Sequence, residues 1–136
     1  MGLTVEHLGL YLHLARAAEL RRQPLVRDRL LLLAGVLAVR LELSPIAECC
    51  RERILRHNPG HMVSRWPTLV EAVDEEDVQS LLIQLLRRYS PEQAEQLLIQ
   101  LGIERGQEQA VYESDGEYTA ALLGEKWPDL VERFGS

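Results

Sequence analysis

Apolar positions recur along this chain at helical spacing, and no stretch alternates apolar and polar residues over the length of a strand. Val78, Leu81, Leu82, Leu85 and Tyr89 form one stripe, and Ala94, Leu97, Leu98 and Leu101 form another. Only Ser90, as N-cap to Pro91, stands between them, which predicts an antiparallel helical hairpin. Upstream, the ten residues Leu30 to Val39 contain nothing polar and are bracketed by Arg29 and Arg40. A membrane-spanning helix needs about 20 apolar residues, so this run is half of one. A helix that is apolar all round is enclosed by other helices. Ala34, Gly35 and Ala38 put small side chains within about one turn, a surface that lets a neighbour cross closely. Gly35 costs about 1 kcal/mol of helix propensity against Ala, which close packing can offset.

Start and stop signals divide the rest. Thr4 caps a first helix from Val5 to Arg22, with Glu6 at the positive end of its dipole. Pro24 opens a second helix reaching Leu43. Ser44 as N-cap with Pro45 at the first helical position starts a third, which runs to His57. Asn58-Pro59-Gly60-His61 has the Pro-Gly pair of a type II turn. Thr68 with Glu71 forms a capping box for a short helix, and Asp74 is the expected cap of the next, with Glu75, Glu76 and Asp77 in its first turn. Gly102 is placed as the residue just past a helix end. Residues 104–116 are polar, acidic and unpatterned; Ser114 with Glu117 then caps a short helix through Leu123, and a last helical element follows from Trp127 to Phe134. The expectation is an all-α fold: a compact bundle of five to six helices around a central buried helix, occupying residues 1–103. An acidic polar linker over 104–116 joins it to a short tethered helical segment, 117–136, that docks on its own or a partner chain.

Composition narrows the class. The 136 residues suit one domain, and 46% apolar with 26% charged residues is ordinary globular chemistry. The cysteines, Cys49 and Cys50, are adjacent, and a disulfide between neighbours on a helix is strained. With no basic-then-apolar leader after Met1, a reduced cytoplasmic protein is expected. The net charge of −6 is uneven: ten Arg and six acids up to residue 65, then five basic residues and fifteen acids. An acidic half steers toward a basic partner.

One internal match stands out. Arg65-Trp66-Pro67-Thr68-Leu69-Val70-Glu71-Ala72-Val73 aligns with Lys126-Trp127-Pro128-Asp129-Leu130-Val131-Glu132-Arg133-Phe134, five of nine positions being identical. Trp66, Trp127, Leu130 and Phe134 are the candidate interaction residues, serving a docking element that packs in cis or on a second copy. Leu81-Leu82-Ile83-Gln84-Leu85 and Leu97-Leu98-Ile99-Gln100-Leu101 also match, one helix and a turn apart.

Catalytic signatures specific enough to name a reaction are missing. His57 and His61 flank the Pro-Gly turn and are the candidate metal ligands. However, Cys50 lies about 10.5 Å of helix rise from His57, too far to share a zinc whose ligands sit about 2.0–2.3 Å away, and neither a metal nor a cofactor is expected. As an acid–base pair the two histidines need a third group to orient them. Arg21, Arg22, Arg27 and Arg29 are candidate anion-binding residues, together with Arg16 near the first turn; Arg51, Arg53 and Arg56 form a second group. Negative net charge and few stacking aromatics argue against nucleic acid. The reading is a non-enzymatic helical protein–protein interaction or adaptor domain, able to self-associate, with no membrane role. The alternatives are a small-ligand or metal-binding protein or enzyme using the His57–His61 turn, and an acidic inhibitor or immunity-type partner of a basic protein. An apolar cavity lined from the second helix with His57 or Cys50 at its mouth favours a ligand, whereas a filled core beside an open apolar groove favours a protein partner.

Overall fold

The computed structural model describes residues 4–104 and 108–135. Met1 to Leu3 and three residues of the expected linker, 105–107, lie outside them. All the regular secondary structure among the described residues is helical, with no strand. The elements are α1 (Val5–Leu20), α2 (Pro24–Arg40), α3 (Ser44–His57), α4 (Leu69–Ala72), α5 (Glu76–Arg88), α6 (Pro91–Gln100), α7 (Asp115–Leu122) and α8 (Trp127–Phe134), with 3-10 turns at Met62–Arg65 and Glu108–Val111. No helix among them is long and apolar enough to cross a membrane.

The apolar run sits on α2, where every residue from Leu30 to Ala38 is buried. It packs against α1 on one side and α3 on the other, with α4 and α5 closing over it. Gly35 marks the tightest approach: a Cβ there would meet Leu69 Cδ2 at 2.5 Å and Cys50 Cβ at 3.3 Å. Helix propensity is given up for contact between α2, α3 and α4.

α1 and α2 end alike. The Gln23 N–H reaches back to the Ala18 carbonyl and the Arg22 N–H to Glu19, with Arg22 at φ +58°. The Leu43 N–H reaches Ala38 and the Glu42 N–H reaches Val39, with Glu42 at φ +61°. These are Schellman closures with a non-glycine residue in the left-handed position. The second one carries the chain straight into α3. Ser44 is therefore the first helical residue and not its cap, which is Leu43. Asp74 is likewise not the cap of α5. Val73 is still in right-handed helical conformation after α4, so the new helix starts later, behind Glu75.

The turn after α3 also departs from expectation. The His61 N–H bonds the Asn58 carbonyl at 3.0 Å, but Gly60 does not have positive φ, so the turn is not type II. The Asn58 side chain accepts from the Gly60 N–H at 3.2 Å and holds the other turn conformation.

The α5–α6 connection is the largest departure. Ser90 does cap α6, accepting from the Gln93 N–H at 3.3 Å. The two helices do not pack along each other: α5 lies on α2, and α6 swings away to lie along α1. The corner is pinned by Tyr11 of α1, whose hydroxyl donates to the Tyr89 carbonyl at 2.6 Å. In the matched pentads Leu82 and Leu98 are buried while Ile83 and Ile99 face outward. Gly102 does take the left-handed conformation past α6, at φ +71°.

Beyond residue 108 the chain returns to the body. α7 packs on α1, and α8 packs on α3 and α7.

Candidate functional site

The two Trp-Pro segments flank the same helix, α3. Their matching leucines, Leu69 and Leu130, are both fully buried. Their polar attachments differ. In the first copy, the buried Glu48 of α3 accepts from the N–H groups of Leu69 (2.8 Å) and Val70 (3.2 Å), so a carboxylate on another helix serves as anion at the α4 N-terminus. In the second, Arg133 near the α8 C-terminus reaches Glu52, one turn further along α3. Trp127 lies across Gly116 of α7, where a Cβ would come within 2.5 Å of the indole. Trp66 packs half-buried on the core, its carbonyl accepting from Arg51 at 2.7 Å. Phe134 packs on the core edge under the Arg133 guanidinium, 4.8 Å from the ring centre. All four candidate interaction residues therefore take part in packing within the chain.

The sequence cluster of arginines disperses. Arg22 holds the left-handed turn position and faces solvent. Arg29 is half-buried on α2. Arg21 stands on the rim of an open groove between α1, α2 and α6, about 680 Å³ in volume. The floor of that groove is aliphatic: Leu14 and Ala18 from α1, Val26 and Leu30 from α2, Leu97 and Leu101 from α6. The rim carries Arg21 and Arg88, the acid Glu92, and the amides Gln23, Gln93, Gln96 and Gln100. Leu97 and Leu101 are only half-buried because α6 lies along α1 with this trough between them.

Arg27 turns inward to a second site. Its Nη1 donates to Glu19 (2.7 Å), its Nε and Nη2 to Asp28 Oδ1 (3.3 and 3.1 Å), and its Nη2 also to the Arg53 carbonyl (3.1 Å). Asp28 is 4% exposed, and its other oxygen meets His57 Nδ1 at 2.6 Å. This is the orienting group that the histidines lack in the sequence. Asp28 binds the Nδ1 edge, so the Nε2 edge of a one-third exposed ring faces outward. His61 is engaged elsewhere, its Nδ1 accepting from the Val63 N–H at 3.2 Å. Burial pushes the His61 imidazole below its ordinary value, against an opposing pull from Asp28. The described residues contain no cluster of three or more His, Cys, Asp or Glu able to hold a metal. Cys49 and Cys50 are buried, and burial pushes both thiols up, away from the reactive thiolate.

No protein-family model, curated protein or solved structure matches the chain.

Asp28 and Glu48 carry the polar architecture, and motif reasoning passes over both. Each leaves one signal. Asp28 precedes Leu31 and Leu32 at helical spacing, and Glu48 follows Pro45, so each carboxylate falls on a buried helix face, where it needs a partner.

Proposed function

We propose that the protein is a non-enzymatic helical interaction domain whose α1–α2–α6 groove receives an amphipathic helix with an aliphatic stripe edged by acidic side chains. The observation that carries this reading is the groove itself, about 680 Å³ of open trough with an aliphatic floor on the outside of the buried α1–α2 core. Helix-in-groove recognition uses such surfaces, with anchors at i, i+3, i+4 and i+7. Arg21 and Arg88 have no carboxylate partner among the described residues, and only Glu92 opposes them on the rim. Net charge steers a basic protein at long range, but this rim asks for acidic groups on the docked helix itself. In the same reading α7 and α8 form a tethered C-terminal segment that closes on α1 and α3 of its own chain.

The test is a fluorescence titration of the full chain with a synthetic peptide helix bearing leucines at those four spacings and flanking glutamates. Saturable binding is expected, weakened about ten-fold or more by Arg21→Glu with Arg88→Glu and lost in Leu97→Glu. Binding that ignores these substitutions, or that is as strong for a lysine-flanked peptide, would sink the proposal.

A further inference from the structure

Around His57 the fold gathers arginines that lie far apart in the chain. A polar recess of about 340 Å³ is walled by Arg27, Arg53, Arg56 and His57, with Glu19 as its only acid. Asp28, Glu52 and Glu125 engage these cations but do not line it. Arg53 donates through Nη2 to the Leu123 carbonyl and to Glu125, and Arg56 donates through Nη2 to Glu52. Among the described residues, the Nε and Nη1 donors of both stay unengaged. They add to the outward Nε2 edge of His57, which Asp28 holds in place.

A slot of about 290 Å³ adjoins the recess, with Glu19, Arg27 and Arg53 as common walls and Arg16 as a further charged member of its lining. The slot is walled by Leu12 and Ala15 of α1, Leu31 of α2, and Leu122 and Leu123 at the end of α7. It opens on a different face of α1 from the groove, which uses Leu14, Ala18 and Arg21.

We propose that these adjoining recesses bind a small phosphate monoester. The phosphoryl oxygens take the free donors of Arg53 and Arg56 and the Nε2–H of a His57 imidazolium whose Nδ1–H is held by Asp28, and a compact apolar body rests on the leucine side of the slot. Two guanidinium forks and an imidazole converging on one recess offer more donors than a carboxylate's two oxygens use, and match the three terminal oxygens of a phosphoryl group. The volumes suit a small molecule, and among the lining residues the only ring is the His57 imidazole, so no base-stacking platform is present. This site is independent of the groove: it shares no lining residue with it, so either proposal can fail alone.

The experiment follows the histidine ring nitrogens of the full chain by long-range ¹H–¹⁵N spectra during titration with phenyl phosphate. A saturable shift is expected at His57 Nε2, with His7 and His13 unmoved. Arg56→Ala removes an exposed side chain and is expected to weaken binding about ten-fold. Arg87→Ala on α5 is expected to leave affinity unchanged. Inorganic phosphate is expected to bind about ten-fold more weakly, because it leaves the slot empty. No saturable shift, a uniform shift of all histidines, wild-type affinity in Arg56→Ala, or equal affinity for inorganic phosphate would each overturn the assignment.

Discussion

Two residues in this chain hold a backbone conformation that their side chains disfavour. Arg22 and Glu42 occupy the left-handed position that Gly102 and Gly124 fill at the ends of α6 and α7. An L-residue there pays about 1–2 kcal/mol for crowding of its Cβ, and glycine returns roughly 0.5–1 kcal/mol of that through unfolded-chain freedom. Arg22→Gly and Glu42→Gly are therefore expected to stabilise the fold by about 0.5–1 kcal/mol each. A rise in urea midpoint at constant slope would show it; a fall would mean that the side chains make a compensating contact. The hydrogen-bonding pattern at these ends is local, so the turns are legible in sequence as helix stops. Which residue takes positive φ is not, because nothing in Arg22 or Glu42 announces it.

At the scale of elements, α8 is the informative one. Its hold on the body rests on Leu130, fully buried, and on Trp127 lying across Gly116. Its ion pair to Glu52 is solvent-facing and contributes little by comparison. Leu130→Ala is expected to cost about 2–5 kcal/mol if α8 unfolds with the rest. Gly116→Val forces the indole off its seat and is expected to cost about 1–3 kcal/mol, with a red shift of Trp127 emission when read in a Trp66→Phe background. A Leu130→Ala variant with unchanged stability but early proteolytic loss of the tail would identify α8 as a separately opening unit. The repeated Trp-Pro segment is visible in the sequence. That both copies attach to α3 through different polar partners is not, since Glu48 and Glu52 lie 21 and 81 residues from the groups they bind.

For the whole molecule, the contact that decides topology joins Tyr11 to Tyr89, 78 residues apart. It satisfies the carbonyl at the α5 end and directs α6 onto α1. Burial, helped by the negative charge of Glu92, pushes the Tyr11 phenol from 10.0 up to about 12. In the unfolded chain the phenol ionises first, so its contribution is complete below its ordinary value and is lost as pH climbs through the folded value. Tyr11→Phe is expected to flatten that part of the alkaline loss and to cost about 1 kcal/mol near neutrality, where the Tyr89 carbonyl loses its donor. Thermal melts of both proteins across the alkaline range would show the crossover; parallel curves would contradict the buried hydrogen bond.

The sequence alone determined what short-range physics controls. Helical periodicity placed the apolar stripes, prolines and capping residues placed most of the helix starts, and the unbroken apolar run from Leu30 to Val39 required a helix enclosed by others. Tertiary structure decided the rest. α6 lies on α1 and not on α5, although only Tyr89 and Ser90 separate it from α5. Asp28 meets His57 across 29 positions, and Arg27 joins Arg53 and Arg56 around one recess. These pairings come from how buried faces fit together, and a carboxylate on such a face chooses its partner only once the helices have packed.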